Sequence, residues 1–327
     1  MPKVSVVIAV YNVEKYIERC VRSLFEQTLD SMEYVFVDDC SPDRSMEIML
    51  RVLEDYPSRK SQIKLIRHEK NLGVGAARNH GVAACTGDYI IHCDPDDWVD
   101  LNLYELMYKT ASETGADLVY CSVKSYESGR EPFLLQQKSF DAPYDYLLSI
   151  LKCESHSGPI NKLAVRKIAQ HPDLNVPDRI CMHEDTLRMI QMIYHCKKVV
   201  LVPDVFYNYQ SNPASVSHSR WRREHMAGML EIVEILEKIL LPKEYFRSGL
   251  NRFKLEILHL ALYHPEIMTK KEFHKLKKEF HLWQILSDSP CSARMKVMMY
   301  ASCFSYTLAE VLVRFRMFFI SLKSGSG

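Results

Sequence analysis

Several things this chain lacks narrow its identity before any motif is considered. None of its ten cysteines forms a CxxC pair, and Cys20, Cys93, Cys121 and Cys196 fall in apolar segments. That argues against a zinc site or a disulfide framework and for reduced core thiols in a cytosolic protein. No signal-peptide pattern precedes the fold, because Met1-Pro2-Lys3-Val4 leads straight into an apolar strand. No apolar run reaches the ~20 residues a membrane-spanning helix needs. The longest uncharged stretch near the C-terminus, 297–309, is followed by Glu310, Arg314 and Arg316. There are no internal repeats. The triplet His183-Glu184-Asp185 is not a zinc-protease HExxH, since position 187 is leucine.

Net charge is also nearly absent overall, at +1, but it is unevenly spread. Residues 1–219 carry 24 Lys/Arg against 30 Asp/Glu, a balance of −6; residues 220–327 carry 18 against 11, a balance of +7. The reversal predicts two domains, 1–219 and 220–327. The acidic one suits a cation site, and the basic helical one suits a peripheral contact with an anionic membrane or with a partner. A mixed basic and apolar tail also permits a homodimer. No nucleic-acid partner is expected.

What is present is an alternation. Residues 4–10, Val-Ser-Val-Val-Ile-Ala-Val, read as a strand buried on both faces. Helical periodicity follows over 14–26, then a strand at 33–38, a helix at 43–55, a strand at 63–67, a helix at 75–84, a strand at 88–93, a helix at 101–114 and a strand at 117–123. This order predicts an α/β fold with a mostly parallel sheet covered by helices on both faces. After a break at 124–145, the chain predicts a helix at 185–195 and two strands, 198–202 and 205–209. Beyond 220 the pattern is helical.

In an open parallel sheet, ligands bind outside the carboxyl ends of the strands. Four polar motifs fall there: Ala9-Val10-Tyr11-Asn12, Val37-Asp38-Asp39-Cys40-Ser41, Asn71-Leu72-Gly73-Val74-Gly75-Ala76-Ala77-Arg78-Asn79, and Asp94-Pro95-Asp96-Asp97. Three acids clustered at the end of a buried strand are costly unless something compensates them. A divalent cation bearing a diphosphate would do so. An EF-hand is excluded, because Trp98 and Val99 stand where an oxygen ligand and glycine are needed.

These runs, in the order VSVVIAVYN, VDDCSPDRS, NLGVGAARNHG, DPDDW and HED, resemble the family 2 inverting glycosyltransferases of the GT-A fold over about residues 1–219. Cys40 stands where that family usually has glycine, and Pro95 lies inside the DxD-type motif. The resemblance implies a UDP-sugar donor, a Mn²⁺ or Mg²⁺ cofactor and a saccharide or lipid-linked saccharide acceptor, as in polysaccharide assembly at the inner face of the cell membrane. It implies Asp185 as catalytic base with Glu184 beside it. The nucleotide falls to Ala9, Tyr11, Asn12, Glu14, Asp38, Asp39, Arg78, Asp94 and Asp96, and the metal to Asp96, Asp97 and His218. The sugar or acceptor pocket falls to Trp98, Asn161, Lys162 and His183. The chemistry of the side chains agrees: Tyr11 can stack on a pyrimidine, and Asp39 can accept from uracil N3–H, which cytosine lacks. The helix start at Gly73–Arg78 suits a phosphate. Its partial GxG pattern also raises a nicotinamide-dependent oxidoreductase, but the third glycine is missing and the motif lies far from the first strand. A sugar-phosphate nucleotidyltransferase would carry a Gly-rich basic loop after strand one, and Tyr11-Asn12-Val13-Glu14 offers none. An inactive scaffold subunit would not need the full acid set.

Overall fold

The computed structural model describes residues 1–174, 176–180, 182–212, 215, 221–288 and 291–314. In chain order the elements are β1 (Val4–Val10), α1 (Ile17–Phe25), β2 (Met32–Asp38), α2 (Ser45–Leu53), β3 (Ile63–Arg67), α3 (Val74–Ala84), β4 (Tyr89–His92), β5 (Trp98–Val99), α4 (Leu103–Thr114), β6 (Leu118–Tyr126), β7 (Phe133–Leu135), α5 (Pro143–Leu151), β8 (Lys162–Val165), α6 (Arg166–Ala169), α7 (Glu184–His195) and β9 (Val199–Gln210). Helices α8 (Arg223–Leu240), α9 (Arg247–Tyr263), α10 (Lys270–Glu279), α11 (Leu282–Asp288) and α12 (Ala293–Phe304) follow. The chain divides into two compact units: Met1–Ile150 with Glu154–His218, and Leu151–Cys153 with Ser219–Gly327.

The first unit is built on one sheet in the order β3-β2-β1-β4-β8-β6-β9-β5, with β7 paired to β6. Strands β3, β2, β1 and β4 are parallel. β8 then enters antiparallel between β4 and β6, while β9 runs parallel to β6. The parallel run read from the sequence thus holds through β4 and becomes mixed beyond it. The short β8 did not stand out as a strand, since its four residues carry no alternation.

Burial explains the parallel half. Val4, Val6, Ile8 and Val10 point to one face and join a core with Ile17, Leu24, Met49 and Met107 from α1, α2 and α4. The opposite face takes α3, and contact there is close at Gly81. A Cβ on Gly81 would lie 2.4 Å from Val7 Cγ1 and 3.2 Å from Val37 Cγ2, so glycine sets the depth at which α3 seats. Because β2 and β3 lie on one side of β1 and β4 on the other, the crevice between the carboxyl ends of β1 and β4 is a topological switch point.

One strand replaces the two expected near 200. β9 is continuous but kinks at Asp204, whose φ of 60° is left-handed, and its register on β6 jumps from Leu201 opposite Tyr120 to Phe206 opposite Ser122. This bulge re-aims the second half of β9 toward β5, where Val99 pairs with Tyr207.

Candidate active site

The site is assembled from loops at the carboxyl ends of the strands. Beyond β1, Tyr11 is 46% exposed, leaving its ring face open. The Asn12 amide donates to Ser41 Oγ (2.9 Å) and the Glu14 amide to Asp43 Oδ2 (2.8 Å), which ties this loop to the one after β2. Ala9 lies half-buried in β1, opposite Val37. Asp38 accepts from the Ser41 amide (2.8 Å) and pairs with Arg67 (3.3 Å). Cys40 adopts φ 58°, the left-handed region where a glycine would be unstrained. Asn12 and His183 are also left-handed, at φ 55° and 62°, so three strained residues border the crevice.

Asp39 is buried and bonded three times. Its Oδ1 accepts from the Leu72 amide and pairs with His68 Nδ1, and its Oδ2 accepts from the Gly73 amide, at 2.8, 2.7 and 2.8 Å. Two amides of the loop leading into α3, those of Leu72 and of the N-cap Gly73, thus already hold a carboxylate of the protein itself. His68 Nε2 in turn meets His80 Nδ1 at 2.9 Å.

The acids after β4 divide by environment. The Asp94 amide donates to Tyr207 Oη (2.9 Å), and Tyr207 Oη donates to Asp97 Oδ2 (2.7 Å). Asp97 Oδ1 accepts from the Gln210 amide (2.7 Å), and the side chain is wholly buried. Burial, then Asp94 and Asp96, push its carboxyl well above the usual range. The expectation of Asp97 as a metal ligand is not matched by its placement: the side chain is wholly buried, with each oxygen accepting one protein hydrogen bond, and Asp96 is the acid that stands at the crevice. Asp96 is half-buried and accepts from Asn212 Nδ2 (3.0 Å). Burial and then Asp94 raise its pKa, with Asn212 and Arg78 opposing. A hard divalent cation would relieve that repulsion, so the all-oxygen pair Asp94 and Asp96 suits Mn²⁺ or Mg²⁺. Among the described residues, the one cluster of three His, Cys, Asp or Glu ligand atoms within 4.8 Å lies elsewhere, at His171, Asp173 and His195, the last residue of α7.

Arg78 joins the two halves of the site. One guanidinium nitrogen donates to Asp94 Oδ1 (2.8 Å) and the other to Glu184 Oε1 (2.9 Å). Burial opposes its charge, but Asp94, Glu184 and Asp185 outweigh that and hold it protonated. Close packing makes the reach work, since a Cβ on Gly75 would sit 3.2 Å from Glu184 Cγ. Burial and then Asp185 push the Glu184 carboxyl up to about 7, against Arg78. Asp185, the next residue, is half-buried, with Oδ1 accepting from the Thr186 amide (2.7 Å). His92 beneath Arg78 is held neutral by burial and by Arg78 and Arg188.

The expected sugar or acceptor pocket is only partly recovered. Asn161 and Lys162 are 0% and 2% exposed, so neither can touch an acceptor. Asn161 Nδ2 donates to the Cys121 carbonyl (2.5 Å). Lys162 Nζ donates to the carbonyls of His156 and Gly158 and to Asn161 Oδ1, at 2.9, 2.7 and 2.8 Å. Sequence position placed them near the site, but the hydrophobic strand β8 draws them inward. Trp98 is half-buried, with the Arg19 guanidinium 3.6 Å above its ring and Tyr126 at 4.4 Å between centroids. His183 caps α7, at the crevice. His218 lies outside the described residues. Sequence reasoning missed His68, Tyr207 and Asn212. His68 directly follows β3, so the strand-end rule could have found it; Tyr207 carries no local signal.

Comparison with known proteins completes the picture. Residues 5–170 match the model of "Glycosyl transferase family 2". The chain is 29% identical over 299 residues to the "Putative glycosyltransferase EpsH" of Bacillus subtilis, covering 89% of this chain and 76% of that one. It is 35% identical over 293 residues to the "Uncharacterized glycosyltransferase YibD" of Escherichia coli, covering 82% of each. The S. aureus TarS structure in complex with UDP-GlcNAc superposes with a TM-score of 0.74 at 20% identity, covering 96% of this chain and 92% of that one, which shows a shared fold.

Proposed function

The chain belongs to glycosyl transferase family 2, and from that premise we propose that it moves a hexosyl or N-acetylhexosaminyl group from a UDP-sugar to a saccharide, free or lipid-linked, by a single displacement. The strongest support is Arg78, whose one guanidinium holds Asp94 on the donor side and Glu184 on the acceptor side (2.8 and 2.9 Å). The TarS relative in fold was solved with UDP-GlcNAc, which favours uridine as the nucleotide.

In this reading the exposed Tyr11 ring covers the uracil. Asp39 uses three of its roughly four acceptor sites internally, leaving one for uracil N3–H. Asp96, with Asp94 beside it, would hold Mn²⁺ or Mg²⁺, which supplies charge neutralisation for a departing diphosphate. Arg78 keeps a fixed positive charge at the same place, already oriented before substrate arrives. Asp185 accepts the proton of the attacking hydroxyl. Glu184, poised near neutrality and clamped by Arg78, fixes the start of α7 that carries Asp185. Catalysis belongs to the unit of residues 1–218, with the helical unit as a peripheral membrane contact.

The test is release of UDP from a panel of nucleotide-sugars, with and without Mn²⁺, using saccharide and lipid-linked acceptors. Asp185→Asn is expected to abolish transfer while leaving UDP affinity within about twofold, since it removes only the base. Normal turnover in that variant would overturn the base assignment; no turnover and no UDP binding in the native chain would overturn the reading.

A further inference from the structure

The helical unit carries a cationic cavity of about 530 Å³, lined by His274, Lys277, Lys278, His281, Trp283 and Cys303. Helix α10, which supplies three of these, reads Lys-Lys-Glu-Phe-His-Lys-Leu-Lys-Lys-Glu. Glu272 is engaged by Arg223, and Glu279 by Lys275. Among the described residues, neither Lys277 nor Lys278 has a carboxylate within ion-pair distance. The charges therefore oppose one another. Burial and then Lys277 and Lys278 lower the His274 pKa, and burial lowers that of Lys277. Lys277 Nζ also donates to the Ser302 carbonyl. Repelling cations around a cavity, with no carboxylate among the described residues paired to Lys277 or Lys278, form a receptor for an external anion.

Trp283 connects this cavity to an apolar surface. Its ring lies 5.6 Å from that of Tyr300 and 6.0 Å from that of Phe304. Val297, Tyr300 and Phe304 stand at i, i+3 and i+7 of α12, on one face. Trp283 is 57% exposed, Val297 59% and Phe304 80%. Soluble surfaces rarely leave two large aromatics so open side by side. Lysines next to Trp and Phe are the pattern of a bilayer interface, where aromatic rings sit at headgroup level and lysines meet lipid phosphates. Charge complementarity and the joined cationic and aromatic surfaces select the occupant.

We propose that this face of the helical unit docks on an anionic lipid bilayer, with a lipid phosphate in the cavity of Lys277 and Lys278 and with Trp283, Val297 and Phe304 seated at the headgroup boundary. The inference specifies the membrane contact proposed above. It is independent of the sugar chemistry, because vesicle binding and UDP binding are read separately.

The test is flotation of the full-length protein with phosphatidylcholine vesicles containing 30% phosphatidylglycerol (~30%, a typical anionic load), with phosphatidylcholine vesicles alone, and with 10 mM glycerol phosphate (~10 mM, as soluble competitor). The expected result is binding to anionic vesicles only, weakened by salt and barely displaced by the competitor. Lys277→Gln with Lys278→Gln should weaken it about tenfold or more. Trp283→Ala with Phe304→Ala should weaken binding to a similar degree, with UDP affinity and melting temperature unchanged. Equal binding to both vesicle types, or no vesicle binding at all, overturns the proposal. So does displacement by glycerol phosphate at that concentration, which would make the cavity a site for soluble phosphate. Dissociation of a dimer by Phe304→Ala, seen by light scattering without loss of vesicle binding, would assign the aromatics to a second copy and also overturn it.

Discussion

Asp96 and Asp97 are chain neighbours with opposite surroundings. Asp97 is enclosed and accepts from Tyr207 and Gln210, whereas Asp96 sits at the crevice and accepts from Asn212. Asp97→Asn should be the milder change: the amide oxygen keeps the Gln210 bond, the new N–H faces Tyr207 Oη, and the Tyr207 proton turns to Cys93 Sγ (3.7 Å), so transfer should stay within about threefold of native at a cost of ~1 kcal/mol in stability. Asp96→Asn should lose about 100-fold or more in transfer, measured as UDP release in Mn²⁺. Equal losses in both would refute this division of labour. At Cys40, a left-handed φ of 58° penalises a side chain, so Cys40→Gly should stabilise the fold by up to ~1 kcal/mol in urea melts, less the greater entropy glycine gains on unfolding. Lys162 gives a pH test. Burial lowers its pKa to about 7 from an ordinary 10.5, so over that window the unfolded chain binds a proton that the folded chain does not. Its contribution to stability thus rises with pH from about 7 to 10.5. Lys162→Met should flatten that slope relative to the native protein and lower stability at high pH, where the two N–H donors of the neutral amine are lost to the buried acceptors. Urea unfolding at a series of pH values measures both.

At the scale of elements, the seating of α3 governs whether Arg78 reaches both acids. Gly81 meets Val7 and Val37 on the sheet, and Gly75 meets α7 at Glu184. Gly81→Ala should cost ~1–3 kcal/mol by overpacking, read as a fall in urea midpoint at constant slope, and should weaken UDP affinity as α3 shifts. The elements of this half were legible in the sequence. β1 through β4 and the helices between them fall within three residues of where periodicity places them, because β1, β2 and β4 are largely buried apolar runs and α1 and α2 are amphipathic. β5, β7 and β8 escaped notice: at two, three and four residues they are too short for a period to register. The bulge at Asp204 was read as a gap between two strands, although it is the feature that brings Tyr207 to the acids.

For the whole molecule, the acidic balance of residues 1–219 and the basic balance of 220–327 separate a cation-seeking cleft from an anion-seeking surface. Among the described residues no helix is long and apolar enough to cross a membrane. Ligand linkage gives the global test. UDP with Mn²⁺ at about 100 times its Kd should stabilise the native chain by ~2.7 kcal/mol, seen as a rise in melting temperature. UDP alone should give less, and NAD none. A rise with NAD and none with UDP would refute the nucleotide assignment.

The sequence by itself determined the strand and helix alternation, the crevice at the carboxyl ends of the strands, and which acids, bases and aromatics stand near it. Those are set by local periodicity and by position along each strand, which a linear chain displays. Tertiary structure alone decided which of those groups face solvent. Lys162 and Asp97 turned inward, Arg78 became a clamp between Asp94 and Glu184, and Asp39 took the amides of Leu72 and Gly73 in the loop before α3. Arg78, Asp39 and Asp97 depend on partners 16 to 113 residues away, and Lys162, whose bonds are local, is buried by the tertiary packing around β8; no local pattern records such placements.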